Sequence, residues 1–405
     1  MLKGEFVHTD YQFNRREFAG SLGDLGTILP LALGMILVNG LSAAGLFFSV
    51  GLFYIFTGLY FKITVPVQPM KVIGAYSIAT MMTPEQVMAS SVLMAVLLLV
   101  IGLTGTINVI GRYAPKSVIR GVQLSTGILL MSQGVKMMVG TSKIQQIYHM
   151  AEPHLIIDAI GPVPLGIIIG TAGVLATLYL LENKTLPAGI FIVAAGFLIG
   201  LVFGGPDTLS GVRPGFHLPP WMPFGFPGGA DITFALFALV LPQIPMTIGN
   251  AVIANKDLAT RYFGSKSDKM TYKSLCLSMA VGNIISFLIG GMPMCHGAGG
   301  LSAHYRFGAR TAGSNLMIGA VLIALVLVLG DSILSVLTLM PFSVLGVLLV
   351  FAGSQLALTI LDISGKKDMF VVISILAVTL TANLTAGVIV GLVLANLLRY
   401  ERFKI

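Results

Sequence analysis

The chain reads TVPVQPMK at residues 64–71, between two apolar stretches. Each proline disfavours helical geometry in the residue before it, so residues 64–69 are predicted to be extended. The apolar piece that follows, near residues 69–82, would form a helix only about 20 Å long, which is too short to cross a bilayer. Pro69 suits the first position of that helix, and Lys71 then lies in its first turn. The stretch therefore predicts a half-helix that begins inside a membrane.

The second half of the chain contains a similar stretch, GGMPMCHGAGG at residues 290–300. It leads into another short apolar piece, near residues 295–307, which is also too short to span a bilayer. The small residues at 297–300 would allow an anion to approach backbone N–H groups closely. The sequence thus predicts one half-helix in each half of the chain.

Three short matches between the halves, in the same order and at similar offsets, indicate an internal duplication. They pair ILPLALG (28–34) with QIPMTIG (243–249), QPMK (68–71) with MPMC (292–295), and PKSV (115–118) with PFSV (341–344). Because each half is predicted to hold seven elements, an odd number, the second copy must enter the membrane upside down.

The composition excludes a soluble protein. Of the 405 residues, 56% are hydrophobic and only 10% are charged, with a mean hydropathy of +0.93, whereas soluble domains carry about 25% charged residues. The net charge of +8 is better explained by loop topology than by binding to nucleic acid. The two cysteines, Cys276 and Cys295, are too few for a disulfide framework. We therefore predict a multi-pass protein embedded in the lipid bilayer.

The predicted fold class is an all-α polytopic membrane protein with fourteen transmembrane elements in two inverted repeats of seven. Two elements are the half-helices, each preceded by a short extended segment. The candidate full spans lie near residues 19–39, 42–62, 86–107, 117–139, 163–181, 186–204, 232–254, 272–290, 314–330, 341–361, 367–381 and 383–399.

The distribution of Lys and Arg predicts the orientation. With the N-terminus inside, only Lys136, Lys143 and Arg213 fall outside and Lys71 falls within the membrane, while all other basic residues lie in cytoplasmic segments. Both termini are therefore predicted to be cytoplasmic, and no removable signal peptide is expected. The predicted domains are a cytoplasmic segment (1–18), the first repeat (19–204), an extracytoplasmic Gly/Pro-rich linker (205–231), the second repeat (232–399) and a cytoplasmic tail (400–405).

Inverted repeats that each contain one discontinuous element point to a secondary transporter, with substrate held where the half-helices begin. A half-helix N-terminus presents unpaired N–H groups and about half a positive charge, so two of them aimed at one point form an anion site. Lys71 either attracts the anion or belongs to a structural ion pair. His296 either donates a hydrogen bond or carries a proton, or else satisfies a neighbouring carbonyl. Cys295 and His296 alone are too few ligands for a metal site, and no metal or cofactor is expected.

Polar residues in the first element of each half are further candidates for lining the substrate site. Gly20, Asp24 and Thr27 have spacings that place them on one helix face, and Gln243, Thr247 and Asn250 repeat that spacing in the second half. The alternative is hydrogen bonding between helices, which small polar residues commonly provide in membranes. Asp24 is predicted to be either the partner of Lys71 or a proton-coupling group.

Three runs carry a resemblance to a known family. SLGDLGTILPL (21–31), VPVQPMK (65–71) and MPMCHGAGGLSAHYRFGART (292–311) resemble the molybdate transporter family, a branch close to the sulfate permeases. The resemblance implies seven-plus-seven inverted repeats, with a mobile core domain that carries the substrate against a flatter gate domain. It implies a high-affinity molybdate carrier, for which tungstate is a mimic, and suggests a homodimer. Typical sulfate permeases continue into a STAS domain, which we do not expect here, as in the molybdate branch.

The resemblance also assigns site residues. Gln68, Pro69, Met70 and Lys71 match the first motif of the family. The second motif is matched by Cys295, His296, Gly297, Ala298 and Gly299. Together with the polar residues of the first element of each half, these are the predicted substrate-binding residues.

Several other functions are open from the residues alone. Sulfate is the nearest alternative cargo because it is also a tetrahedral dianion. A nucleobase symporter could share the architecture, but it would be expected to carry carboxylates where this chain has Gln243, Asn250 and His296. A passive anion channel is another alternative. A membrane-embedded hydrolase would need a nucleophile with a base, or a metal with three or more ligands, which the sequence does not suggest.

Overall fold

The computed structural model describes residues 10–107, 115–157, 159–181, 188–205 and 209–399. Parts of the sequence-based prediction fall outside these ranges, namely residues 1–9 of the N-terminal segment, the tail at 400–405, and Arg112 and Lys184 of the charge argument.

The described part of the first half is mostly helical, with three two-residue strands. Its helices are α1 (Arg15–Ser21), α2 (Leu25–Leu37), α3 (Ala43–Phe61), α4 (Lys71–Thr80), α5 (Pro84–Thr104), α6 (Lys116–Val139), α7 (Lys143–Tyr148), α8 (Leu165–Leu180) and α9 (Ala188–Phe203), and its strands are β1 (Gln68–Pro69), β2 (Ala159–Ile160) and β3 (Val163–Pro164).

The second half begins with one long helical run over Gly229–Ser267. Within it, α10 (Gly229–Ala235), α11 (Leu241–Met246) and α12 (Asn255–Phe263) are joined by π-helical segments at Leu236–Val240 and Thr247–Ala254. The remaining elements are α13 (Tyr272–Ile289), β4 (Met294–Cys295), α14 (Ala298–Phe307), α15 (Gly313–Leu329), α16 (Ser332–Leu337), α17 (Phe342–Ala357), α18 (Lys366–Thr381) and α19 (Leu384–Leu397).

The described chain has the helices of a multi-pass membrane protein. By length and composition, five of its helices can cross a membrane, and a sixth span results if the bent pair α1 and α2 is counted as one. Four shorter apolar helices, α8, α9, α15 and α19, accompany them. Every candidate span predicted from the sequence overlaps one or more of the helices α1 to α19, although α6 and α18, which cover spans 117–139 and 367–381, are not among the helices just named.

The two extended segments meet in the centre of the fold. Strand β1 pairs antiparallel with β4, with Gln68 opposite Cys295 and Pro69 opposite Met294. The Met70 N–H continues the pairing by donating to the Pro293 carbonyl at 2.8 Å. Each strand leads directly into a ten-residue helix, α4 or α14. The two short helices therefore both begin beside one buried strand pair.

The half-helices begin slightly later than predicted. Helix α4 begins at Lys71 rather than at Pro69, because Pro69 belongs to β1 and Met70 still has extended geometry. Helix α14 begins at Ala298 rather than near residue 295, because Cys295 is paired in β4 and Gly297 is the extended N-cap. The hydrogen bonds between β1 and β4 keep these residues extended, so both helices begin after them.

The prediction that Gly20, Asp24 and Thr27 share one helix face is wrong. The helix is interrupted between Ser21 and Leu25, and the two parts are bent by 44°. Gly20 packs against the Ala309 backbone, so closely that a Cβ there would overlap it. Asp24 instead occupies the N-cap position of α2, with Thr27 in the first turn. Because of this interruption, Asp24 lies at the start of a helix and not within one.

Glycines allow α6 and α17 to approach closely. A Cβ at Gly127 would lie 2.5 Å from the Gly353 carbonyl oxygen, and a Cβ at Gly353 would lie equally close to that of Gly127. The same reciprocal relation holds between Gly134 and Gly346, about two helical turns away on each helix. Small residues commonly permit this kind of tight helix packing in membranes. Helix α6 of this pair also packs against the half-helix α4, and α17 packs against α2.

Candidate functional site

Two buried asparagines hold the extended segments in place. The Asn315 amide accepts a hydrogen bond from Val65 N at 3.0 Å and donates to the Val65 carbonyl at 2.8 Å. The Asn283 amide accepts from Met294 N at 3.0 Å and donates to the Met294 carbonyl at 2.7 Å. Backbone groups within a membrane must find partners inside the protein, and these side chains supply them.

Sequence reasoning missed both asparagines. The signal was present, since each is an amide side chain within an otherwise apolar span, α13 or α15. An extended, proline-interrupted segment at membrane depth leaves N–H and C=O groups unsatisfied, so side-chain partners of this kind are required.

We predict that Asn315→Leu lowers the free energy of unfolding by about 2–4 kcal/mol, because one buried N–H and one buried C=O lose their partner. Equilibrium unfolding in detergent would measure the change. Asn396→Leu is the matched control, since Asn396 is exposed and bonds only the Leu392 carbonyl of its own helix. An equal change in both variants would contradict the clamp role.

The first turn of α4 is capped by a side chain from another element. Gln243 Oε1 accepts hydrogen bonds from Val72 N at 2.9 Å and Ile73 N at 3.2 Å. Its Nε2 donates to Thr247 Oγ1 at 3.0 Å. Two predicted site residues of the long helical run thus reach the start of the first half-helix. The Gln243 amide oxygen therefore satisfies two of the N–H groups that were predicted to bind the anion, and Thr247 holds that amide in place.

The first turn of α14 is open instead. No side chain among the described residues caps it at Gly297. Ala298 is half-buried and Gly299 is exposed, and a Cβ at Gly299 would meet nothing within 4 Å. The N–H groups of this turn carry the positive end of the helix dipole. Among the described residues, the start of α14 is thus less obstructed than the start of α4.

Asp24 and Gln68 form a buried pair beside that turn. Gln68 Nε2 donates to Asp24 Oδ1 at 2.6 Å and Oδ2 at 2.8 Å. Both side chains are almost completely buried, with 1% relative exposure each. A Cβ at Gly300 would overlap Asp24 Oδ2 and lie 2.7 Å from Gln68 Nε2, so only glycine fits there.

The other end of the Gln68 amide has no partner. Its Oε1 is buried and makes no hydrogen bond with any described residue. It lies against Gly297, where a Cβ would overlap it and would lie 3.5 Å from Asn250 Nδ2. A buried carbonyl oxygen without a hydrogen bond is unfavourable by about 1–3 kcal/mol. Such an atom needs an explanation, and a place in a ligand site is one.

Lys71 is the cation of this centre. It is half-buried, and no described carboxylate lies within ion-pair distance of its ammonium. It interacts through space with Asp24 and with Cys295. The hydrogen-bond partner of Asp24 is Gln68, and Lys71 lies near it without a direct ion pair.

His296 and Cys295 have structural contacts. His296 is fully buried, with Nδ1 2.9 Å from the Pro66 carbonyl oxygen and Nε2 2.8 Å from Ser278 Oγ. The Cys295 thiol points to the Pro69 carbonyl at 3.8 Å. Both residues brace the strand pair, and Met70 is buried beside them. Their side chains face the protein rather than the open turn.

The structure thus brings the predicted site residues together around one point, in two groups. Asp24, Thr27, Gln68, Lys71, Asn250 and the glycines of α14 surround the open turn, while the other predicted residues pack behind it. Asn250 lies on the second π-helical segment, a type of irregularity that is frequent at functional sites. No cluster of three or more metal-ligating side chains occurs among the described residues.

Comparison with known proteins gives this centre its context. A family model described as molybdate transporter of the MFS superfamily matches residues 16–130 and 235–356. The chain belongs to the molybdate transporter family. Its membership confirms the predicted resemblance and the prediction that the chain is a transporter and not an enzyme.

Similar molybdate transporters occur in plants and algae. Molybdate transporter 2 of Arabidopsis thaliana is 31% identical, over 95% of this chain and 87% of the relative. Molybdate transporter 1 of Chlamydomonas reinhardtii is 29% identical, over 96% of this chain and 92% of the relative. The family resemblance therefore covers nearly the whole chain.

Solved structures show that the fold is that of known anion transporters. The transmembrane domain of the cyanobacterial bicarbonate transporter BicA superposes with a TM-score of 0.64 at 19% identity, covering 95% of this chain and 98% of that one. The murine anion transporter Slc26a9 in its inward-facing state superposes with a TM-score of 0.67 at 16% identity, covering 98% and 70%. At these identities the likeness concerns the fold alone.

Proposed function

We propose that this chain is a secondary active transporter that imports molybdate, with tungstate as a mimic, across the cytoplasmic membrane. The observation that carries the proposal is the open first turn of α14 beside Lys71, at the point where both half-helices begin. A tetrahedral dianion placed there would accept backbone N–H bonds and lie near an ammonium that has no ion-pair partner among the described carboxylates. Family membership supplies the choice of molybdate among small anions.

The proposed architecture is fourteen membrane elements in two inverted repeats of seven. The β1–β4 pair and the reciprocal glycine contacts between α6 and α17 support it, because each joins elements from equivalent places in the two halves. The proposed domains are the N-terminal segment to residue 18, the repeats 19–204 and 232–399, the outer linker 205–231, and the tail from residue 400. Both termini are proposed to lie in the cytoplasm.

The two half-helices contribute unequally in this proposal. Ala298, Gly299 and Gly300 offer N–H groups directly, whereas α4 contributes the Lys71 side chain while its Val72 and Ile73 N–H groups are held by Gln243. Thr27 and Asn250 complete the lining. The remaining predicted residues, Pro69, Met70, Thr247, Cys295 and His296, position the strands and the cap rather than contacting the anion.

The proposed transport cycle is alternating access. On α2, Leu25, Gly26 and Thr27 are half-buried, whereas every residue from Pro30 to Ile36 is buried. The site therefore opens towards the start of α2, which is the cytoplasmic side in the proposed orientation. Movement of the core elements past the α6–α17 unit would close this side and open the other. Coupling to protons and assembly as a homodimer belong to the same proposal.

Uptake into proteoliposomes tests the function. We predict that labelled molybdate accumulates in the lumen against its gradient when the medium is more acidic than the lumen. Unlabelled tungstate should compete strongly and sulfate weakly. Equal competition by sulfate would move the assignment to a general oxyanion carrier. Equilibration without accumulation would indicate a channel, and displacement by nucleobases would indicate the symporter alternative.

A further inference from the structure

The Asp24–Gln68 pair has the geometry of a switch. We propose that protonation of Asp24 rotates the Gln68 amide and thereby turns an anion-repelling oxygen into an anion-binding N–H₂ group. The inference rests on the proposed function, and it assigns the coupling of one proton to one anion to these two side chains.

The arrangement in the structure is the one expected when Asp24 is ionised. A carboxylate accepts hydrogen bonds only, and Gln68 Nε2 supplies them to both oxygens, at 2.6 and 2.8 Å. The amide oxygen is consequently turned the other way. It lies unpartnered against Gly297, the N-cap of α14, with Asn250 near the same position, while the nitrogen lies against Gly300 in the first turn.

An anion at that helix start would meet the wrong end of the amide. A carbonyl oxygen carries partial negative charge and donates no hydrogen bond, so in this orientation it opposes a dianion. Rotation of the amide by half a turn exchanges the oxygen and the nitrogen with almost no change in shape. The nitrogen would then point to the anion and donate to it.

The rotated state requires a proton on Asp24. With the oxygen of Gln68 facing an ionised carboxylate, two acceptors would oppose each other in a buried place. A protonated Asp24 has one O–H donor, which it gives to Gln68 Oε1. The proton comes from a hydronium ion at the open side of the site, so one O–H bond forms on Asp24 while one breaks in the hydronium ion, which leaves as water.

The charges around Asp24 act in the same direction. The ammonium of Lys71 is a positive charge near the Asp24 carboxylate, and Tyr54 and Cys295 are the other titratable groups near it. A bound dianion offsets the field of Lys71 and adds negative charge. Anion binding therefore favours protonation, and by linkage protonation favours anion binding to the same extent.

Calorimetry of purified protein with molybdate tests the switch. For the wild type we expect affinity to fall as pH rises, by up to about tenfold per pH unit where one proton is taken up with each anion, and we expect net proton uptake on binding. Asp24→Asn imitates the protonated state, because its Nδ2 can donate to Gln68 Oε1. This variant should bind with an affinity that no longer changes with pH, and its proton uptake, measured in buffers of different ionisation enthalpy, should vanish.

Two further variants make the result specific. Asp257→Asn removes an exposed carboxylate outside the site and should keep the wild-type pH dependence. Gln68→Met keeps the bulk of the side chain without the amide and should bind weakly with reduced proton uptake.

The outcomes separate the switch from the proposed function. A wild type that binds no molybdate at any pH would overturn the proposed function. Molybdate binding whose pH dependence persists in Asp24→Asn, or full proton uptake in Gln68→Met, would overturn the switch while the function stands.

Discussion

Replacing Gly299 by valine is expected to weaken molybdate binding by more than about 100-fold without disturbing the fold. A Cβ at this position meets nothing within 4 Å, so the valine has room in the empty protein. It projects into the space in front of the first turn of α14, where the anion must approach the N–H groups. Losing such contacts removes several charge-assisted hydrogen bonds, each worth about 1.5–3 kcal/mol.

Titration calorimetry with molybdate measures this loss, and thermal unfolding in detergent checks the fold. Gly229→Val is the matched control, because Gly229 is also exposed with no atom within 4 Å of a Cβ, but lies at the far end of the long helical run. Gly297→Val should also abolish binding, though by displacing Gln68, so it is the less specific variant. Wild-type affinity in Gly299→Val would contradict backbone capture of the anion.

Replacing Lys71 by glutamine is expected to lower molybdate affinity by about 100-fold or more. The ammonium has no carboxylate within ion-pair distance among the described residues, so its charge is available to the anion. In a site shielded from bulk water, an ionic hydrogen bond is worth about 3 kcal/mol, which corresponds to that factor. Lys71→Arg should retain part of the affinity, since it keeps the charge with a different shape.

Binding assays at two salt concentrations would measure the effect of Lys71→Gln. Lys62→Gln serves as the control, because Lys62 pairs with Asp10 at 3.0 Å on the surface and should leave binding unchanged. A Lys71→Gln protein that unfolds at lower temperature but binds normally would make Lys71 a structural residue, the alternative left open by the sequence.

The sequence predicted the features that depend on local backbone geometry and on helix length. The prolines at 66, 69 and 293 predicted extended segments, and the short apolar pieces after them predicted half-helices. Both were found, displaced by two or three residues because the segments pair with each other. Local rules describe each segment well, but they contain no information on a partner more than 200 residues away.

The details of the centre depend on contacts that no local pattern specifies. The sequence indicated that Gln243 lines the site, but not that it caps α4. It gave Asp24 two candidate roles, and only the structure placed it against Gln68. The interruption between Ser21 and Leu25 was missed because glycines, here Gly20, Gly23 and Gly26, are frequent in membrane helices and do not by themselves mark a break.

His296 illustrates the same limit from the opposite direction. A histidine in a motif at a predicted anion site suggests a role as donor or proton carrier. Its two ring nitrogens instead face the Pro66 carbonyl and Ser278. Which of two chemically reasonable roles a histidine adopts is decided by neighbours that come from other parts of the chain.

The central claim is that an oxyanion binds at the open start of α14, beside Lys71 and Gln68. The most direct measurement is a crystal structure with bound tungstate or molybdate, located by its anomalous scattering. We predict one tetrahedral anion within hydrogen-bond distance of the Gly299 and Gly300 N–H groups and near the Lys71 ammonium. An anion bound elsewhere in the fold, or half-helix starts that point away from it, would contradict the account.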